Sequence, residues 1–177
     1  MTDPPSPESR RAVYPGTFDP LTRGHLDLIR RATELFDFID VLVADNVEKT
    51  SWFAADERVD MIRHEVSGWR CVSVSRFQGL VVDYMRTHDI RFMLRGVRTV
   101  SDFEYEYQMA MTNRSLLPTA DTVFMMPSLC YSFTSSRLIK EILLNRGDIA
   151  EFVPSRIARL LQERMAQRLH PEGGSGP

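Results

Sequence analysis

Between Tyr14 and His25 the chain reads Tyr-Pro-Gly-Thr-Phe-Asp-Pro-Leu-Thr-Arg-Gly-His, a turn that follows a short apolar run and opens a segment with helical spacing. The first amides of a helix have no partner inside it and point outward at the positive end of its dipole, so such a turn holds an anion. His25 adds an imidazole donor to those amides, and Gly16 and Gly24 carry no β-carbon to keep a ligand off the backbone. A second cluster, Ser132-Phe133-Thr134-Ser135-Ser136, opens a later helix. Two helix N-termini with clustered hydroxyls suit one polyphosphate held between them. No GxGxxG follows a strand and no GxxxxGK occurs, so the phosphate site is neither the dinucleotide fingerprint nor a P-loop.

Cations for two anions are at hand in Lys49, Arg95 and Arg98. Arg95 has the best intrinsic case, because it ends an apolar run and precedes Gly96, which lets its planar fork project over the rim of a sheet. Lys49 alone reads as a solvated surface charge. His25 reads as a phosphate donor or as a helix-capping histidine, Thr17 as a turn residue, and Ser132, Ser135 and Ser136 as N-caps, roles compatible with ligand contact. Glu106 lies four residues after Asp102 on one helical face, where a surface acid is the ordinary reading. Val81 at a helix start reads as core. His64, His88 and His170 lack comparable surroundings.

The elements that must position these residues alternate. Apolar runs near 12–15, 39–44, 71–75, 90–94 and 121–126 predict five strands, separated by segments of helical spacing. Helices are expected around Leu28 to Phe36, Val59 to Val66, Leu80 to Met85, Asp102 to Leu117 and Ser135 to Arg146, the last closed by Gly147 as a left-handed cap. A terminal helix is expected from Pro154 as its first residue. Strand and helix in alternation imply an α/β fold, a doubly wound parallel sheet with helices on both faces, whose ligands bind outside the carboxyl ends of the strands where strand order reverses.

Composition narrows the partners. At 177 residues, 43% hydrophobic and 26% charged, the chain is expected to form one domain over 11–170, between flexible ends at 1–10 and 171–177 that are rich in Pro, Ser and Gly. A formal net charge of -2 gives no broad attraction for nucleic acid, so no nucleic-acid partner is expected. Cys71 and Cys130 stand far apart without a CxxC pattern, which suits a reducing cytoplasm and argues against a metal site. No apolar run approaches the ~20 residues that span a bilayer, and no membrane partner is expected.

The opening turn, then Arg95-Gly96-Val97-Arg98, then Asp102-Phe103-Glu104-Tyr105-Glu106, then Tyr131-Ser132-Phe133-Thr134-Ser135-Ser136, all in this order, resemble the class I nucleotidylyltransferases, which have a Rossmann-like fold, and within them the bacterial phosphopantetheine adenylyltransferase family. The resemblance covers about Ala12 to Leu169. It implies adenylyl transfer from ATP to 4'-phosphopantetheine, giving dephospho-coenzyme A and pyrophosphate, by direct in-line attack of the acceptor phosphate without a covalent enzyme intermediate. Catalysis then comes from positioning two anions and stabilising charge at the α-phosphate. By the same resemblance His25 stabilises the transition state, Thr17, Lys49, Val81 and Arg95 bind the acceptor, and Thr17, Phe18, His25, Gly96, Val97, Arg98, Glu106 and the run Tyr131, Ser132, Phe133, Thr134, Ser135, Ser136 and Arg137 bind ATP. It further implies Mg2+ arriving with ATP, coenzyme A and dephospho-coenzyme A as product or feedback ligands, and a homohexamer.

Three positions depart from the family pattern. The loop Asp45 to Thr50 lacks the usual proline and second lysine, which implies a reshaped acceptor loop around Lys49. Arg137 stands where serine is frequent, either reaching a phosphate or facing solvent, and Arg23 stands where asparagine is frequent. Another class I nucleotidylyltransferase, or a nucleotide-binding module without turnover, stays open as an alternative; pyrophosphate release with candidate acceptors separates them.

Overall fold

The computed structural model describes residues 10–45 and 51–169; Lys49, the altered loop around it, and all of the expected flexible ends except Arg10 lie outside them. Five strands, β1 (Arg11–Gly16), β2 (Phe38–Ala44), β3 (Val72–Phe77), β4 (Phe92–Gly96) and β5 (Asp121–Met125), form one sheet in the order β3-β2-β1-β4-β5. Every adjacent pair is parallel. The helices are α1 (Arg23–Ala32), α2 (Ala55–Glu65), α3 (Val81–Thr87), α4 (Val100–Leu116), α5 (Ser136–Leu144) and α6 (Ser155–Leu169), with a short 3-10 turn at Leu129–Tyr131 that the apolar periodicity does not reveal. Among the described residues no helix is long and apolar enough to cross a membrane.

Successive strand residues point to opposite sides, and here both sides are apolar. Ala12, Tyr14, Ile39, Val41, Val43 and Leu94 join a core with Leu28 and Ile29 of α1 and Val59 and Ile62 of α2. Val13, Leu42 and Met93 join a second core on the other face with Met85 of α3. A third cluster binds α5 and α6 to the chain before α2, through Trp52, Phe53, Ile139, Leu143, Val153, Ile157 and Leu161. One charge interrupts the apolar run of β2. Asp40 is fully buried, and Arg11 (2.7 Å) and the Ser73 hydroxyl satisfy it.

Because all strands run one way, their carboxyl ends share one rim. The chain leaves β1 for β2 and β3 on one side and returns to β4 and β5 on the other, so a crevice opens above the carboxyl ends of β1 and β4. β4 runs two residues beyond the expected end, since Arg95 and Gly96 continue the ladder opposite Phe124 and Met125. Arg95 therefore projects from a strand, not from a loop. Likewise α4 starts at Val100, capped by Thr99, whose hydroxyl accepts from the Asp102 amide at 3.1 Å. Pro154 precedes α6 and offers its carbonyl to Ala158 (2.9 Å), so it caps the helix and is not its first residue.

The end of α5 differs in its cap. Arg146, not Gly147, adopts the left-handed conformation, with φ 61°. The Gly147 amide donates to the Ile142 carbonyl (2.9 Å) and the Arg146 amide to that of Leu143 (2.9 Å), the paired bonds of a Schellman ending. Gly147 is needed for closeness: a β-carbon there would lie 2.6 Å from Ile142 Cγ2. Gly147→Ala is expected to destabilise the protein by about 1–3 kcal/mol. Arg146→Gly relieves the left-handed residue and is expected to raise stability by up to about 1 kcal/mol. Urea unfolding of both variants measures the two opposite signs.

Candidate active site

The turn after β1 is held from beneath by two buried charges. The carboxylate of Asp19, 3% exposed, accepts from the amides of Trp52 (2.9 Å) and Phe53 (3.1 Å) and from Lys140 Nζ (2.9 Å) of α5. Arg58 of α2, equally buried, donates to the carbonyls of Thr17 (2.6 Å), Ala44 (3.0 Å) and Phe53 (3.1 Å). One anion and one cation thus tie the turn to the segments after β2 and to α5. Phe18 sits in the left-handed region at φ 51°, a conformation that costs a non-glycine residue about 1–2 kcal/mol. Its ring packs edge-on between Tyr14 (5.4 Å) and His25 (5.1 Å).

His25 is the third residue of α1, and its own helix start orients it. Thr22 is the N-cap: its hydroxyl accepts from the His25 amide (3.2 Å), while its amide donates to His25 Nδ1 (3.1 Å). This is a capping box with histidine in the place of glutamate or glutamine. A backbone N–H can only donate, so Nδ1 holds a lone pair and the proton of the neutral ring sits on Nε2. Burial, with the nearby charge of Arg98, lowers the His25 pKa from its ordinary value to about 4. At neutral pH the ring is an uncharged N–H donor facing the crevice.

Two cavities meet at this place. The first, about 220 Å3, is lined by Phe18 and His25 from the opening turn, Gly96 and Arg98 from the end of β4 and the following loop, and Tyr131, Thr134, Ser135 and Ser136 at the start of α5. Ser135 caps α5 by accepting from the Leu138 amide (3.0 Å), and Ser136 donates to the Pro20 carbonyl (2.7 Å), which locks the two helix starts together. Arg98 is set by Asp102 (3.0 Å) and by the carbonyl of Thr134 (3.0 Å). The second cavity, about 320 Å3, is lined by Thr17, Gly79, Leu80 and Val81 and by Tyr105, Glu106 and Met109 of α4. Pro15, Gly16 and Arg95 border both.

Arg95 is the wall between them. Nε and Nη2 donate to the two carboxylate oxygens of Glu106 (2.7 and 2.5 Å), and Nη1 donates to the Pro15 carbonyl (2.7 Å). Burial works against the charge of Arg95, yet the hydrogen bonds and charge of Glu106 outweigh it, so its pKa is raised. The Tyr14 phenol beneath is also pushed up, by burial, against the opposing charges of Arg95 and Arg98.

The residues expected to bind ATP divide. Phe18, His25, Gly96, Arg98, Tyr131, Thr134, Ser135 and Ser136 border the first cavity, whereas Val97 is buried in the core, the Ser132 hydroxyl turns back to the Leu129 carbonyl (2.9 Å), and Phe133 packs on Phe152. Arg137 is exposed and does not line it. Glu106, also expected among the ATP contacts, borders the second cavity, with Thr17, Val81 and Arg95 of the expected acceptor set. The contacts of Asp19, Arg58 and Tyr14, and the capping role of Thr22, do not follow from the readings of the sequence above. Thr22 was legible in principle, because Thr-x-x-His has the spacing of a capping box.

The cytidylyltransferase-like family model matches residues 13–142. A phosphopantetheine adenylyltransferase of Paraburkholderia phytofirmans is 49% identical over 165 residues, covering 93% of this chain and 95% of that protein. One from Dictyoglomus turgidum is 46% identical over 154 residues, covering 87% and 96%. Among solved structures, one from Vibrio parahaemolyticus described as a nicotinate-nucleotide adenylyltransferase superimposes with a TM-score of 0.66 at 14% identity, covering 93% of this chain and 97% of that one, a likeness of fold.

The histidine carries a pH prediction. Its folded pKa of about 4 lies below the ordinary 6.5, so the unfolded chain takes up a proton first as pH falls. The stability linked to His25 is therefore complete above about pH 6.5 and is lost as pH drops through about 4. An anion placed against Nε2–H raises the pKa. Long-range 1H–15N spectra of the ligand-free protein are expected to show a neutral His25 ring protonated on Nε2 at pH 6, with a midpoint that moves upward when ATP is added. An imidazolium at pH 6 without ligand contradicts this.

Proposed function

The chain belongs to the cytidylyltransferase-like family and, within it, to the phosphopantetheine adenylyltransferases, and from that membership we propose how its residues carry adenylyl from ATP to 4'-phosphopantetheine. The reaction yields dephospho-coenzyme A and pyrophosphate, a step of coenzyme A biosynthesis. The observation that supports our assignment of roles is the pair of cavities meeting at Arg95, Pro15 and Gly16 over the β1–β4 crevice. One suits a nucleotide between two helix N-termini. The other, larger and more apolar along Leu80, Val81 and Met109, suits the pantetheine arm.

In this reading the phosphate of the acceptor lies near Thr17 and Arg95 and attacks the α-phosphorus of ATP in line. A bond forms from an acceptor oxygen to that phosphorus, and the bond to the β-bridging oxygen breaks with its electron pair going to pyrophosphate. The acceptor phosphate is already the nucleophile, so no side chain need attack and none is modified. Nε2–H of neutral His25 donates to an α-phosphate oxygen, most strongly when charge accumulates there in the transition state. Because the ring is held by Thr22 before substrate arrives, little reorganisation is required at that moment. The amides opening α1 and α5, with Arg98, oppose the charge of the triphosphate.

Magnesium enters as part of the substrate, MgATP. Among the described residues no group of three or more His, Cys, Asp or Glu is placed to hold a metal, and a magnesium ion bound mainly by phosphate oxygens and water needs no such group. Dephospho-coenzyme A spans both cavities as product, and coenzyme A competes there as a feedback ligand. A cytoplasmic site of action fits the two unpaired cysteines, Cys71 and Cys130. A homohexamer fits α4, of which Ala110 alone is buried while Phe103, Tyr105, Tyr107, Met109 and Met111 are each more than two-fifths exposed.

Pyrophosphate release tests the reading directly. With MgATP, release is expected with 4'-phosphopantetheine; release with nicotinamide mononucleotide alone, or ATP binding without turnover on any acceptor, overturns it. His25→Ala is expected to lower kcat by about 10²–10³-fold while ATP still binds. Sedimentation velocity is expected to show a hexamer that Tyr107→Glu combined with Met111→Glu breaks down, and a monomeric parent chain contradicts the assembly.

A further inference from the structure

We propose that the hydroxyl of Tyr14, on the floor of the first cavity, is a further nucleotide contact that donates a hydrogen bond to the nucleoside part of ATP. The inference rests on the functional reading above for the identity of the nucleotide, and on geometry for the rest.

Tyr14 is the fourth residue of β1, and its side chain lies on the face of the sheet that α1 covers. It is only 5% exposed and packs in the core with Ala12, Leu28, Leu94 and Met125, yet it also lines the first cavity. Among the described residues no hydrogen bond reaches its hydroxyl. The two guanidiniums whose charges bear on it are engaged elsewhere, Arg95 with Glu106 and the Pro15 carbonyl, Arg98 with Asp102 and the Thr134 carbonyl. A ring that served packing alone could be phenylalanine, because a buried hydroxyl without a partner costs stability. Gly96 leaves the way to this hydroxyl open: a β-carbon there would lie 3.7 Å from Tyr14 Oη and 2.6 Å from Leu28 Cδ1. Burial raises the phenol pKa against the charges of Arg95 and Arg98, so the group faces a ligand as a protonated donor.

Position selects the part of ATP that it meets. The Phe18 ring stands between Tyr14 (5.4 Å) and His25 (5.1 Å). In the functional reading His25 holds the α-phosphate, and the starts of α1 and α5 hold the phosphates beyond it. Tyr14 lies across Phe18 from His25 and beside Gly96, where the other end of the nucleotide, its nucleoside, is left to pass. Tyr14 lines the first cavity and not the second, so the acceptor does not meet it.

Tyr14→Phe removes one oxygen and keeps the ring. In calorimetry on the full chain with magnesium, this variant is expected to bind ATP about 3- to 10-fold more weakly than the parent, and inorganic triphosphate, which has no nucleoside, equally well. In the pyrophosphate assay its KM for ATP is expected to rise by the same factor, while its KM for 4'-phosphopantetheine stays at the parent value. The midpoint of urea unfolding without ligand is expected not to fall, since the hydroxyl has no partner in the protein to lose. A hydroxyl that serves the fold alone predicts the reverse, a lower midpoint with ATP affinity intact. Unchanged ATP affinity in Tyr14→Phe, or an equal weakening of triphosphate, overturns the proposal. A parent chain that binds ATP but releases no pyrophosphate with 4'-phosphopantetheine contradicts the functional reading instead, and the comparison of ATP affinities still decides the role of Tyr14.

Discussion

The pairing of β1 with β4 at the centre of the sheet is the constraint on which the site depends. Parallel strands need crossovers, and the crossovers on the two sides of this pair run in opposite directions along the sheet. Connections leaving β1 and β4 therefore diverge, and a gap opens above the two carboxyl ends that no helix fills. Gly16 and Arg95 stand at its edges. Among the described residues, those lining the first cavity border that gap from the turn after β1, the end of β4 and the loop after it, the start of α1 and the start of α5.

A gap alone does not hold charges in place, and the buried polar groups do so. Asp19 is nearly out of water, and Lys140 with two backbone amides completes the anion, so little of its desolvation is left uncompensated. Arg58 gathers three carbonyls that end three separate segments. Such groups contribute little net stability against an apolar core, but they penalise any other arrangement of the turn. The left-handed Phe18 is tolerated within this frame, and its ring is one wall against which His25 packs.

Electrostatics at the rim then differ from one residue to the next. His25 is kept neutral by burial and by a neighbouring arginine, which leaves it an uncharged N–H donor. Arg95 and Arg98 are each held by a carboxylate of α4, Glu106 and Asp102. One helix thus sets both arginines on its first two turns while Phe103, Tyr105, Tyr107, Met109 and Met111 stay exposed among its polar residues. The same element that orients the cations carries the exposed apolar side chains to which the proposed assembly is assigned.

The alternation of apolar runs and helical segments, with the break at Gly147, was enough to place the five strands and six helices to within about five residues, because periodicity and capping are local properties. The order Thr17, His25, Arg95, Ser135, Ser136 was also legible, since the resemblance rests on contiguous runs. What stayed out of reach was pairing across the chain. That Asp19 meets Lys140 at a separation of 121 residues, that Glu106 pairs with Arg95, and that Val97 is buried in the core while Gly96 lines a cavity are decided by strand register and helix packing. A sequence determines which groups exist and which local element carries them, and here that was enough for the family and its chemistry. Which charge neutralises which, and so how strongly each remaining one meets a phosphate, depends on distances of a few ångströms that only the folded chain defines.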